Sequence, residues 1–305
     1  MSTTQAPPLK PPFPWFGGKS KAASIAWSAL GNVSTYIEPF AGSLAVLLNR
    51  PVEHGTAKSK LELLNDKDCY LANFWRAVQQ DPEGVAAWAD HPQNEADLHA
   101  RHQWLSNQEC FREKMASDPD FYDCKIAGWW VWGINIYLGA EWPVLGRATV
   151  PRSKPIIRRT GVHRKLSHLS TSKKDYQDDL PEYFEAIAAR LRYSMVYCGD
   201  WNRTVTPCIL NDSVPTGIFL DPPYSKKLRN ATLYSVDKDI SESVRHWAIA
   251  HGDNPNLRII LCGMEGEHPM PTSWRTVSWV GKKGRGGASN LNRHQEMLWL
   301  SPHCL

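Results

Sequence analysis

Short apolar runs bounded by turn residues recur along the chain with helical stretches between them, the alternation expected of an α/β sheet. The predicted strands are Thr35 to Glu38, Leu61 to Leu64, Met195 to Cys198, Gly217 to Leu220, Arg258 to Cys262, Thr276 to Val280 and Glu296 to Leu300. Helices are predicted over Lys19 to Leu30, Ser43 to Asn49, Asp66 to Gln80, Pro181 to Tyr193 and Ser241 to His251, the last opening on a Ser-Glu-Ser capping signal. A Gly-rich loop joins the final two strands, which therefore read as an antiparallel hairpin closing the sheet.

Between about Gln80 and Leu180 this rhythm stops. A structureless loop of that length is uncommon in a compact domain, so an inserted subdomain is the better reading. The predicted division is a loose tail over 1–12, a sheet domain over 13–80 and 181–305, and an insertion over 81–180; 305 residues leave room for both. The insertion splits by charge. Arg76 to Lys125 holds ten acidic residues against five Lys and Arg, whereas Arg147 to Lys174 holds nine Lys and Arg and no acid. Those nine are Arg147, Arg152, Lys154, Arg158, Arg159, Arg164, Lys165, Lys173 and Lys174. Unopposed positive charges repel one another unless an anion is near, which points to phosphate contacts and salt-dependent binding; a solvated loop is the other reading. The aromatic segment between the halves, Trp129, Trp130, Trp132, Tyr137 and Trp142, reads mainly as a small hydrophobic core.

Whole-chain composition adds less. A formal charge of +4 and a pI near 8.6 suggest a polyanionic partner without requiring one. Seven cysteines without a Cys-x-x-Cys pair argue against a disulfide framework or a structural zinc, and the scattered histidines lack ligand spacing, so no metal is expected. No run approaches about 18 apolar residues, and the Pro-rich start is unlike a signal peptide. A soluble cytoplasmic protein with reduced thiols, not bound to a membrane, is expected.

The chemistry concentrates at Asp221-Pro222-Pro223-Tyr224, directly after the apolar run Gly217 to Leu220. Ligands of open α/β sheets bind at the carboxyl ends of strands. Two prolines offer only carbonyl acceptors and stiffen the turn, so the Asp221 carboxylate and the Pro222 carbonyl can each accept one N–H of a flat exocyclic amine while Tyr224 offers its ring face. An ordinary proline turn with a capping aspartate is the alternative.

A second constellation lies near the amino terminus. Trp15-Phe16-Gly17-Gly18-Lys19-Ser20 opens a predicted helix, and its glycines let a ligand approach the backbone. Its ending is like a Walker A loop, but Phe13 stands where that motif needs glycine. Next come the strand, turn and predicted helix of Glu38-Pro39-Phe40-Ala41-Gly42-Ser43, and Asn65-Asp66 ends the following strand. An acid there is placed to accept from both ribose hydroxyls, or simply to cap the next helix.

In this order, Trp15 to Lys19, Glu38 to Ser43, Asn65-Asp66, an insertion and Asp221 to Tyr224 resemble the Dam-like, α-group N6-adenine-specific DNA methyltransferases, with a later half similar to phage and prophage members. The resemblance spans roughly 13–80 and 190–301. It implies a Rossmann-like S-adenosylmethionine-dependent methyltransferase sheet with an inserted, mainly helical target-recognition subdomain. It also implies methyl transfer from S-adenosylmethionine to the N6 amine of an adenine flipped out of a specific double-stranded DNA sequence. A separate restriction nuclease would be a natural companion.

By the same resemblance, Asp221, Pro222 and Tyr224 are the catalytic residues. Trp15, Gly17, Gly18 and Lys19 would line the cofactor site, Lys19 near the methionine carboxylate. Glu38, Phe40, Ala41 and Gly42 would form the turn under the methionine moiety, Asp66 would hold the ribose, and Asp200 would sit near the cofactor adenine. Phe16 and Ser43-Leu44-Ala45 depart from the family pattern, which more often has small, Gly-containing segments there. The rivals are an N4-cytosine methyltransferase, against which Asp221 speaks, an RNA-directed enzyme, and a non-catalytic DNA-binding protein that masks sites.

Overall fold

The computed structural model describes residues 9–15, 17–51, 54, 60–118, 120–137, 142–143, 180–210, 214–224, 240–279 and 296–305. The nine basic residues from Arg147 to Lys174, Phe16 and the Gly-rich loop between the final two strands lie outside them. By internal packing the chain forms two compact units. One comprises residues 1–16, 66–192 and 196–200; the other comprises 17–65, 193–195 and 201–305.

The sheet has seven strands in the order β3-β2-β1-β4-β5-β7-β6. They are β1 (Thr35–Glu38), β2 (Leu61–Asp66), β3 (Ser194–Cys198), β4 (Thr216–Leu220), β5 (Leu257–Met264), β6 (Arg275–Trp279) and β7 (Glu296–Leu300). β1 pairs in parallel with β2 and β4, and β4 with β5. β7 runs antiparallel between β5 and β6, so the expected hairpin reverses the sheet at one side. This mostly parallel sheet with helices fits the expected Rossmann-like methyltransferase architecture. Parallel strands are covered on both faces, and their sequences read as unbroken apolar runs. All five residues of β4 and all four of β1 are buried.

Two helices flank the strands within the same unit, α1 (Ala23–Leu30) and α8 (Ile240–His251). α1 starts four residues later than the predicted Lys19, which leaves Lys19 on a turn. The helix predicted over Ser43 to Asn49 does not form; only Leu47–Asn49 makes a short 3₁₀ turn. The cause is local. Gly42 and Leu44 both take positive φ, +48° and +54°, and a left-handed residue breaks a right-handed helix. A buried pair holds the amino ends of the neighbouring strands. Arg50 bonds Glu62 at 3.0 Å, and the Ser194 hydroxyl donates to the same carboxylate at 2.7 Å.

The other unit is helical: α2 (Cys69–Gln80), α3 (Pro82–Ala89), α4 (Glu95–Ser106), α5 (Phe111–Ser117), α6 (Cys124–Ile136) and α7 (Leu180–Leu191). Phe13, Phe74, Trp75, Trp130 and Phe184 interlock at its centre. Trp130, Trp132 and Trp142 are buried, as core tryptophans should be. Residues 10–12 fall in the stretch expected to be a loose tail. Here the Asn135 amide donates to the Pro12 carbonyl at 3.0 Å and the Tyr183 hydroxyl to the Lys10 carbonyl.

α2 begins at Cys69 rather than Asp66 because Asp68 is its cap, accepting from the amides of Tyr70 at 2.9 Å and Leu71 at 3.4 Å. Asp68→Ala should lower stability by about 1 kcal/mol in urea unfolding, the usual worth of such a cap; an unchanged midpoint would show that the two bonds contribute nothing.

Candidate active site

Four side chains meet beyond the carboxyl ends of β4 and β5. Lys19, only 4% exposed, places its ammonium 2.8 Å from Asp221 Oδ2 and 3.7 Å from Glu296 Oε2, and donates to the Gly17 carbonyl at 2.7 Å. Gly17 is needed there. Its φ is +70°, and an added Cβ would stand 3.3 Å from Lys19 Nζ. The ammonium also lies 5.2 Å from the centre of the Tyr224 ring, and the Tyr224 hydroxyl donates to Glu296 Oε2 at 3.4 Å. Cys262 is fully buried in the same surroundings, where burial and the Asp221 charge keep it a thiol.

The charges adjust to this crowding. Burial alone would pull the Lys19 ammonium down, but the acidic groups around it, Asp221 first and Glu296 after it, hold it well above its ordinary value. Burial pushes Asp221 up and Lys19 opposes the push. Because a fifth of the Asp221 side chain stays open to solvent, the ion pair keeps it charged. Burial also lifts Glu296, again against Lys19.

Glu38, at the end of β1, is 3% exposed and accepts from the Tyr36 hydroxyl at 3.0 Å. Burial pushes its carboxyl up to about 8, with the Tyr36 bond opposing and the Asp221 charge adding. The folded protein therefore favours the protonated form. Its contribution to stability is complete below the ordinary carboxyl value of 4.5 and is lost as pH rises to about 8. Urea midpoints should fall between pH 5 and pH 9, and Glu38→Gln should flatten that fall; identical slopes would show that Glu38 is not the group responsible.

The turn after Glu38 is clamped to the end of β2. The Ala41 amide donates to the Asn65 carbonyl at 2.8 Å, and the Asn65 side chain to the Pro39 carbonyl at 3.0 Å. Phe40 is half-buried and stacks on Trp201 at 6.3 Å. Gly18 is exposed.

Within the helical unit, Asp66 is partly exposed and accepts from the Asp68 amide at 3.0 Å. It is not the cap of α2, which removes the capping alternative for this residue. The Gly199 amide donates to the Asp66 carbonyl at 3.0 Å, which brings exposed Asp200 alongside. Trp15 lies against Phe13 and Trp130.

Lys19, Asp221, Tyr224 and Glu38 were all singled out by sequence. Glu296 and Cys262 were not. Glu296 opens an antiparallel strand, paired with Met264 and Trp279, so the reversal carries the first residue of β7 to the edge where the parallel strands end. A search confined to strand carboxyl ends passes over such a residue.

Residues 15–124 match the profile of the D12 class N6 adenine-specific DNA methyltransferases. No curated protein matches the chain significantly. No described helix is long and apolar enough to cross a membrane.

Proposed function

We propose that this chain, which belongs to the D12 class of N6 adenine-specific DNA methyltransferases, uses S-adenosylmethionine to methylate an adenine flipped out of a specific duplex sequence. The observation that carries the reading is the carboxylate of Asp221 at the end of a fully buried strand, 2.8 Å from a Lys19 ammonium that itself lies 5.2 Å from the Tyr224 ring.

The adenine amine is a weak nucleophile because its lone pair is delocalised into the ring. Hydrogen bonds to Asp221 and the Pro222 carbonyl favour a pyramidal nitrogen and stabilise the positive charge that develops on it, where fixed acceptors act most strongly. Flipping costs a few kcal/mol of unstacking, which the Tyr224 face partly restores. After transfer the nitrogen loses a proton to Asp221 or water.

Two features of the sheet unit support a donor bearing an amino acid: Glu38 supplies a buried carboxyl and Gly42, at φ +48°, a tight turn; the resemblance adds Asp66 for its ribose. When bound, the donor supplies an electrophilic methyl on its sulfonium. Trp15, Gly17, Gly18, Phe40, Ala41 and Asp200 complete its proposed contacts, and the Lys19 pairing with Asp221 supports a role for that lysine on the reacting side as well.

Residues 13–80 and 181–305 would form the catalytic domain and 81–180 the target-recognition domain. The nine basic residues from Arg147 to Lys174 would neutralise DNA phosphates. The cytoplasm is the proposed location, and a restriction nuclease the proposed companion.

The test is methyl incorporation from labelled S-adenosylmethionine into unmethylated duplex DNA, read by nucleoside mass spectrometry. N6-methyladenine supports the reading; N4-methylcytosine, methylated RNA alone or DNA binding without transfer would each replace it with a stated rival.

A further inference from the structure

We infer that Glu296 is a positioning residue for methyl transfer: its carboxylate holds the Lys19 ammonium and the Tyr224 hydroxyl, leaving the charge of Asp221 available to the reacting amine. The inference rests on the proposed reaction and assigns this site a third acidic group.

The argument begins with a conflict inside the site. Asp221 must stabilise positive charge growing on the adenine nitrogen, yet a buried ammonium already sits 2.8 Å from its Oδ2. Left uncompensated, that ammonium would cancel the Asp221 charge and repel the developing cation. Asp221 Oδ1 can still accept an N–H, but a neutralised carboxylate accepts it weakly.

Glu296 removes the conflict. One of its oxygens, Oε2, lies 3.7 Å from Lys19 Nζ and 3.4 Å from the Tyr224 hydroxyl. With Lys19, Asp221 and Glu296 charged, the group carries one net negative charge, which is the charge the amine needs as it becomes cationic. The same oxygen fixes the outer end of Tyr224, the ring on which the base would stack. Lys19 is anchored independently by the Gly17 carbonyl at 2.7 Å, so it can shift its weight from Asp221 toward Glu296 without leaving its place.

The experiment compares wild type, Glu296→Gln, Glu296→Asp, Lys19→Met and the Glu296→Gln, Lys19→Met double variant under single-turnover conditions, with cofactor and DNA affinities measured separately. Glutamine keeps the shape and the acceptor for Tyr224 and removes only the charge. The expected result is a fall of about 10- to 100-fold in the transfer rate with affinities within about threefold, partial recovery in Glu296→Asp, and little further loss from Glu296→Gln in the Lys19→Met background.

A transfer rate within twofold of wild type in Glu296→Gln would overturn the inference, as would the full loss persisting without Lys19. A wild type that makes no N6-methyladenine would instead overturn the proposed function, and the inference with it, before any variant is compared.

Discussion

Asp221→Ala should lower methyl transfer to adenine by at least about a thousandfold while leaving S-adenosylmethionine affinity within about threefold. Removing a single preorganised group that meets transition-state charge costs about 100- to 1,000-fold, and here the group is a full carboxylate aimed at a full developing charge. The substitution has a second effect that a motif alone would not predict. Lys19 is 4% exposed and, among the described residues, would keep only Glu296, at 3.7 Å, as an acidic partner within ion-pair reach. A buried ammonium that loses its nearer partner costs roughly 2–3 kcal/mol of stability. Asp221→Asn separates the two effects, because the amide oxygen can still accept from Lys19. Single-turnover labelling and calorimetric titration of the cofactor measure both quantities. Residual transfer within tenfold of wild type in either variant would remove Asp221 from the reaction.

The largest stability change is expected away from the chemistry, in the helical unit. Trp130 has no exposed surface and meets Phe13 at 4.9 Å and Phe74 at 5.6 Å, while its backbone carbonyl accepts from the Trp142 indole at 3.1 Å. Trp130→Ala should cost about 4 kcal/mol, from lost transfer energy and the cavity left among rings too rigid to collapse into it. In a chain of this size that is a fall of roughly 10 °C in the melting temperature. A drop below about 3 °C would mean that the aromatic cluster relaxes around the gap. Because Phe13 comes from the segment just before Gly17, the same substitution tests whether the amino-terminal strap is held by packing or only by the hydrogen bonds to Lys10 and Pro12.

The central strands β1 and β4 were legible because every residue in them is buried, and β1 and β7 match their predicted bounds residue for residue. Helix starts were less so. Two aspartates stand close together, and nothing in the spacing says that Asp68 caps α2 while Asp66 remains on β2. The lost helix after Gly42 turns on Leu44, a fully buried leucine at positive φ. Its side chain reads as a helix former, and only the packing that holds it reveals the left-handed turn, at the position where the family more often has small, Gly-containing residues.

At the site, Asp221 and Tyr224 announce themselves because strand end, proline turn and aromatic ring are adjacent in sequence. Lys19 was found as part of a glycine motif, but its pairing with Asp221 was not, since two residues so far apart carry no local signal of contact. In the sequence Glu296 is only the first residue of a predicted strand. Its chemistry depends on the direction in which that strand runs.

The strand order also sets a schedule for synthesis. β1 pairs with β4 through Thr35 and Thr216, positions roughly 180 residues apart. At about 5–20 residues per second, a ribosome takes about 10–40 s to deliver the partner of the central strand. Throughout that interval β1 and β2 are a lone two-stranded ribbon, too small to be stable alone, with Tyr36 and Ile37 still in search of cover. The helical unit waits nearly as long, because its core needs α7 and the Tyr183 bond to Lys10, 173 residues away. Chaperones that shield early strands would therefore decide how much of the chain reaches the folded state.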